Sequence, residues 1–175
     1  MRSRAAAAET RTLAGHILMS KNQERNDKLV LEGTTARYQI DESVIWQFAV
    51  SELLLVGEWT NDHGPFLDDY FHFFVAGNPP QFFEAPMYSN PDFIKVLGSA
   101  MGASLQSALS NSTDHHSEVI WPPSLSGHGL FIYARQPRPK GVWNGLMDRL
   151  IPLIHSELTP EIVEYLNRRT TQPAG

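Results

Sequence analysis

Hydrophobic and polar residues alternate along several short segments of this chain, which is the pattern of a half-buried β-strand. The alternation over 44–50 predicts that Val44, Trp46, Phe48 and Val50 share one face of a strand, with Ile45, Gln47 and Ala49 on the other. Over 70–76 it separates Phe71 and Phe73 from His72, which would then lie on the solvent side of its strand. Because these segments follow one another without intervening helices, they predict an antiparallel meander.

Other short apolar runs bounded by turn residues extend this meander. Strands are predicted at 29–31, 36–40, 53–59, 119–121 and 130–133, with an edge strand at 81–84 after the turn at 78–80. The run 53–59 is apolar almost throughout, which is typical of a central strand buried on both faces.

Three segments have helical periodicity instead. The segment 91–110 repeats apolar residues at helical spacing after Asn90, a plausible N-cap, and its small residues Gly98 and Gly102 predict close packing on the sheet. A second amphipathic helix is predicted at 142–151. A third begins at Pro160, since Thr159 is a good N-cap and proline is favoured at the first helical position.

These elements predict an α+β fold, with an antiparallel sheet of five to seven strands and two or three packed helices. By analogy, the first half could form a pleckstrin-homology-like strand meander. A single domain is expected over 29–170. Residues 1–28 are expected to be a disordered tail or the product of a misassigned start before Met19, with a transit peptide as the alternative, and 171–175 to be a disordered tail.

Composition narrows the classes of function for these 175 residues. The chain has no cysteine, which excludes disulfides, thiolate nucleophiles and cysteine metal sites. Its net charge of −5, without a large basic cluster, disfavours nucleic-acid binding. No apolar run is long enough to predict a membrane span. We therefore expect a soluble, cytoplasmic protein.

One candidate site is a polar cluster between two apolar strands. Carboxylates and imidazoles of this kind could hold a divalent metal such as manganese, iron or zinc. The candidate ligands are Asp62, His63, Asp68, Asp69 and His72, with Glu58 just before them. The alternative is a simple turn, because Asn, Asp, Gly and Pro are the residues that make turns.

A second polar cluster follows the helix predicted at 91–110. One of His115 and His116, oriented by Asp114 or Glu118, could act as a general acid or base. Adjacent histidines on an extended chain point to opposite sides, so the two are not expected to bind one ion together. A nearby serine such as Ser117 could be a nucleophile, although closeness in sequence is weak support for a triad.

The aromatic residues provide a third candidate. Most are expected in the core, but Phe82 and Phe83 lie among prolines on a predicted edge strand and are candidates for binding a partner. The leading hypothesis is a non-catalytic domain with an acidic surface that binds another protein. The alternatives are a metal-dependent hydrolase-type enzyme that uses the cluster at 58–72, and a small-molecule pocket lined by the aromatic residues of the sheet.

Overall fold

The computed structural model describes residues 26–61, 69–109, 115–136 and 153–171. In these ranges the chain forms nine strands in three antiparallel sheets and two α-helices, so the α+β class is confirmed. The strands divide among three sheets, where one sheet of five to seven was expected. The pleckstrin-homology-like analogy and the division into one domain with two tails stay predictions.

The first sheet is a meander of the first three strands. They are β1 (Asp27–Glu32), β2 (Thr35–Ile40) and β3 (Ser43–Ala49), and they pair in that order. The strand β1 thus begins two residues before the start predicted from the sequence. Gly33 has a φ of 61° in the first turn, a left-handed conformation that glycine adopts without steric cost.

A β-bulge between β2 and β3 changes which residues face the core. Tyr38 lies opposite Trp46, but the next residue, Gln39, lies opposite Val44, so Ile45 is the extra residue. Trp46 and Phe48 share one face as predicted, and this face is turned toward the core. The prediction was wrong for Val44, which is 48% exposed because the extra residue reverses the alternation.

The second sheet is central, and other elements pack against both of its faces. Its strands are β4 (Leu53–Thr60), β5 (Tyr70–Ala76), β6 (Gln81–Pro86) and β7 (His116–Trp121), in the order β6-β5-β4-β7. One face of this sheet packs against the first sheet and the first helix, and the residues buried there form the first core. The opposite face packs against the C-terminal helix, and the residues buried there form the second core. The edge position predicted for 81–84 is confirmed.

The first helix, α1 (Phe93–Met101), is shorter than the predicted 91–110. It ends because Gly102 takes a left-handed conformation, with φ 67°, and its N–H bonds to the carbonyls of Gly98 and Ser99. The chain then continues without helix, and its apolar residues Leu105 and Leu109 remain buried.

The small residue Gly98 packs against this following segment. A Cβ on Gly98 would lie 2.7 Å from the carbonyl oxygen of Ala103 and 3.0 Å from the backbone nitrogen of Leu105. Close packing of this helix on the sheet was predicted, but at Gly98 the close approach is to residues 103–109, which we call the strap.

The third sheet and the second helix cover the other face of the central sheet. The strands β8 (Phe131–Gln136) and β9 (Leu153–Leu158) pair with each other, and α2 (Pro160–Thr171) begins at the predicted residue. Ile162 and Leu166 of α2 are buried in the second core. The helix predicted at 142–151 lies outside the described residues, and β9 was not predicted.

Neither of the described helices is both long and apolar enough to cross a membrane.

Candidate functional site

The described residues contain only part of the proposed metal cluster. Asp62, His63 and Asp68 lie outside them, while Asp69 is exposed and His72 is fully buried. Among the residues that the structure describes, no three His, Asp or Glu side chains are placed to hold a metal ion together. The metal site stays a prediction, because three of its five candidate ligands are not described.

Glu58, at the start of that cluster, fastens the strap to the central sheet. Its carboxylate is fully buried and faces the first core. The oxygen Oε1 accepts backbone N–H bonds from Ala108 at 2.6 Å and Leu109 at 2.8 Å, and Oε2 accepts the hydroxyl of Tyr70. Three donors therefore share one carboxylate, which compensates for the loss of water around it.

Tyr70 continues this network toward the surface. Burial is the main cause that raises the pKa of its phenol well above the ordinary range, and the bond to Glu58 adds to the rise. A hydrogen bond with the side chain of Ser107 acts in the opposite direction. Tyr70 is therefore a poor general base, and the network Ser107–Tyr70–Glu58 supports a structural role.

His72 has a different environment from the one the sequence predicted. It is fully buried on the face of the first core, in line with Phe74, and not on a solvent side. Neither ring nitrogen has a partner at hydrogen-bond geometry. Desolvation lowers the pKa of His72 to about 4, and the backbone of Asn90 offsets this only in part. The ring is therefore neutral at pH 7.

An open groove of about 480 Å³ runs beside α1 and the strap. Its lining mixes apolar residues of α1 and the strap with Lys95 and with the polar residues Ser99, Ser104, Gln106 and Ser107. The aromatic residues of the sheet do not line it, so this groove is unlike the aromatic small-molecule pocket that was considered from the sequence.

The second polar cluster is also described in part. Asp114 lies outside the described residues. The ring of His115 packs edge-on against Tyr133, with the ring centroids 5.5 Å apart. His116 is exposed at the start of β7, opposite Thr60 of β4 in the strand register. The two histidines thus lie on opposite sides of the strand, and their role in catalysis stays a prediction.

Ser117 joins β7 to β8. Its buried hydroxyl accepts the backbone N–H of Phe131 at 2.9 Å and interacts with the side chain of Tyr133. The Tyr133 hydroxyl donates to the carbonyl of His116 at 3.1 Å. These contacts position β8 over the central sheet, and they support a structural role for Ser117 over that of a nucleophile.

The aromatic pair on the edge strand β6 divides between the two faces of the sheet. Phe83 is partly buried against the first core, with its ring 5.4 Å from Trp46. Phe82 faces the other side and is 48% exposed, although its ring lies 6.0 Å from the buried Phe73. Of the two candidates, Phe82 is therefore the one available to a partner.

Phe82 belongs to a continuous series of aromatic contacts on this face. From Phe73 the series passes to Phe131 at 5.2 Å, then to Trp59 at 6.4 Å, which stacks on Phe71 at 4.5 Å. Phe131 also contacts Tyr133 at 6.2 Å. We call this set the aromatic surface; its members are Trp59, Phe71, Phe73, Phe82, Phe131 and Tyr133. All but Phe73 retain some exposure.

One carboxylate lies within the aromatic surface. Glu84 stands opposite Phe73 on the neighbouring strand, two residues after Phe82 and therefore on the same face. It is exposed at the surface, yet the protein around it raises the pKa of its carboxyl, chiefly by removing water, while Trp59 partly offsets the rise. Burial together with this carboxylate raises the pKa of Tyr133.

The residues that complete this surface were not singled out from the sequence. Trp59, Phe71 and Tyr133 were assigned to strand faces in the core, and Glu84 to an edge strand. The alternation of 81–84 was the available signal, because it places Phe82 and Glu84 on one side and Phe83 on the other. The contribution of β8 depends on long-range packing that alternation does not encode.

Comparison with known proteins assigns no relative. No family model, no curated protein and no solved structure matches this chain.

Proposed function

We propose that this chain is a soluble, non-catalytic protein-interaction domain, and that its docking site is the aromatic surface. The observation that carries the proposal is the unbroken series of ring contacts from the half-exposed Phe82 to Phe131 and Tyr133. Aromatic residues are enriched in protein–protein interfaces, where they provide large apolar contact areas.

The packing of Phe82 also favours docking. Its ring rests on Phe73, a residue of the second core that is only 4% exposed. A side chain held in place before binding loses little conformational entropy when a partner covers it. The exposed ring of Phe82 is thus suited to be an anchor at the centre of an interface.

The edge strand β6 favours a partner that contacts its side chains over one that pairs with its backbone as an added strand. The indole N–H of Trp46, on β3, donates to the carbonyl oxygen of Glu84 at 2.8 Å. This contact occupies one of the backbone acceptors that an added strand would need. We expect a partner to lie across the aromatic surface and not along this edge.

A cytoplasmic location and a partner that is a protein, not a nucleic acid, belong to the same proposal. The absence of cysteine is compatible with a reducing compartment, and the net charge of −5 is unfavourable for contact with phosphates.

The test is a selection of binding peptides on the full chain. A random dodecapeptide library is enriched on the folded protein, and the affinity of individual peptides is then measured for the wild type and for Phe82→Ser. We expect this variant to weaken binding about tenfold or more, as loss of a central aromatic anchor does. Circular dichroism verifies that it is folded.

The matched control is Val44→Ser, because Val44 is also 48% exposed but lies on the first sheet, away from the aromatic surface. It is expected to leave the affinity unchanged. Peptides that bind Phe82→Ser as tightly as the wild type would show that the aromatic surface is not the docking site.

A further inference from the structure

We infer that the partner presents a basic segment, one of whose Lys or Arg side chains rests on the aromatic surface beside Glu84. This inference rests on the proposed docking function and specifies the chemistry of the partner. It follows from the position of one carboxylate among aromatic rings, from the absence of an ion pair with it among the described side chains and from the net charge of the chain.

The strand register places Glu84 inside the aromatic surface. Val75 lies opposite Phe82, Phe73 opposite Glu84, and Phe71 opposite Pro86, all on neighbouring positions of β5 and β6. Glu84 therefore belongs to the middle one of these three cross-strand pairs. The pair on one side of it contains Phe82, and the pair on the other side contains Phe71, whose ring stacks on Trp59. A partner that covers Phe82 must also cover or contact Glu84.

The aromatic rings and the partly dehydrated carboxylate both favour a cation at this position. The face of an aromatic ring carries the negative part of its quadrupole, which attracts an ammonium or guanidinium group. The carboxyl of Glu84 has lost part of its water to the protein around it, which raises its pKa, and the indole N–H of Trp59 offsets this only in part. A cation would interact favourably with the rings and with the carboxylate.

None of the ion pairs between described side chains involves Glu84. These pairs join Arg37 to Glu32, Lys95 to Asp92, His128 to Glu161 and Arg168 to Glu164. The indole N–H of Trp59 lies close enough to favour the charged carboxylate but has no partner at hydrogen-bond geometry.

The charge of the whole molecule acts in the same direction. A protein with net charge −5 attracts basic partners over distances of about a Debye length, which raises the rate of association at low salt. An acidic partner would be repelled by the molecule and would bring a second carboxylate next to Glu84.

The test uses the selected dodecapeptides, the full chain and the variant Glu84→Gln, which keeps the size of the side chain and removes its charge. We expect the enriched peptides to contain more Lys and Arg than the library. Glu84→Gln should weaken them about tenfold, the effect of one partly desolvated cation contact. The control Glu42→Gln removes an exposed carboxylate in the turn between β2 and β3 and should have no effect.

A double-mutant cycle tests whether the basic residues act on Glu84. It uses a synthetic version of the tightest peptide in which the basic residues are replaced by glutamine. This version should bind the wild type about tenfold more weakly, and Glu84→Gln should then cause no further loss. Peptides that require Phe82 but show no excess of Lys or Arg, and bind Glu84→Gln normally, would overturn the basic partner and leave the docking surface intact. Peptides that do not require Phe82 would overturn both.

Discussion

Glu58 shows how one buried carboxylate determines local structure. Its fully buried carboxylate accepts two backbone N–H groups of the strap and the hydroxyl of Tyr70. Removal of this one side chain would leave three donors without a partner. The position was recognised from the sequence as part of a polar cluster, but two of its three donors come from a segment about 50 residues later.

We predict that Glu58→Ala strongly destabilises the protein. A buried donor without a partner costs about 1–3 kcal/mol, so the free energy of unfolding should fall by about 3 kcal/mol or more. Urea denaturation of the variant measures this fall. The exposed Glu42→Ala is the control, expected to remain within about 0.5 kcal/mol of the wild type. Unchanged stability of Glu58→Ala would show that the strap is held in another way.

His72 predicts a loss of stability in mild acid. Burial lowers its pKa from 6.5 to about 4 in the folded protein. Between these values the unfolded chain binds a proton at His72 and the folded chain does not, so stability decreases as the pH falls from 6.5 toward 4. Below about 4 both states bind the proton, and the full loss is about 3 kcal/mol.

The variant His72→Leu should lack this contribution. Because neither ring nitrogen has a partner at hydrogen-bond geometry, the apolar side chain gives up only the weaker interaction with the backbone of Asn90, and the variant should be about as stable as the wild type at pH 7. Thermal unfolding at a series of pH values should show a smaller decrease below pH 6.5 than in the wild type. His128→Gln, at an exposed histidine, is the control and should keep the decrease. Equal pH profiles for His72→Leu and the wild type would contradict this account.

At the scale of secondary-structure elements, the sequence predicted correctly those strands and helix ends that depend on neighbouring residues in the chain. The alternation of 70–76 and the N-terminal signals at Thr159 and Pro160 gave β5 and the start of α2. The bulge at Ile45 and the early end of α1 were not predicted. The helix ends at a local left-handed residue, but its sequence contains two glycines that could have had this role. Gly98 and Gly102 were equally small in sequence, yet only Gly102 takes the left-handed conformation that ends the helix.

The candidate site shows the same limit. The exposure of Phe82 was predicted. Phe83 was predicted to be exposed with it, although the alternation of side chains along a strand places the two rings on opposite faces. The residues contributed by β4, β5 and β8 could not be placed beside Phe82, because strand order and register depend on long-range pairing.

The contact between α1 and the strap leads to a prediction about Gly98. Alanine improves helix propensity by about 1 kcal/mol, but its Cβ would lie 2.7 Å from the carbonyl oxygen of Ala103, a backbone atom. Overpacking of this kind costs about 1–3 kcal/mol, so Gly98→Ala should be destabilising overall. Its melting temperature should be lower than that of the wild type.

The neighbouring variant Ser99→Ala is the control for helix propensity. The side chain of Ser99 is exposed and its hydroxyl donates to the carbonyl of Lys95 in the preceding turn of the same helix, so its replacement should change the melting temperature little. A melting temperature for Gly98→Ala at or above that of the wild type would mean that the strap moves away easily.

At the scale of the whole molecule, the central sheet separates two cores, and the aromatic surface continues one of them to the exterior. This arrangement predicts unequal effects for two rings in contact. Phe73→Ala should lower the free energy of unfolding by about 3–5 kcal/mol, as for a buried phenylalanine. Phe82→Ala should lower it by about 1 kcal/mol or less, because half of its ring is already in water.

Urea denaturation of both variants checks this difference. Similar large losses would mean that Phe82 is a core residue, and the docking proposal would lose its anchor. A small loss for Phe82→Ala, together with weaker peptide binding, separates a role in recognition from a role in folding.

The most direct test of the docking surface is to map a bound peptide by NMR. The full chain, labelled in its aromatic and methyl groups, is titrated with the tightest selected dodecapeptide, and the shifted resonances are assigned. The account predicts the largest shifts at Phe82, Phe131 and Tyr133, with Val44 unchanged. Shifts confined to other parts of the surface, such as Val44 and Tyr88, would contradict it.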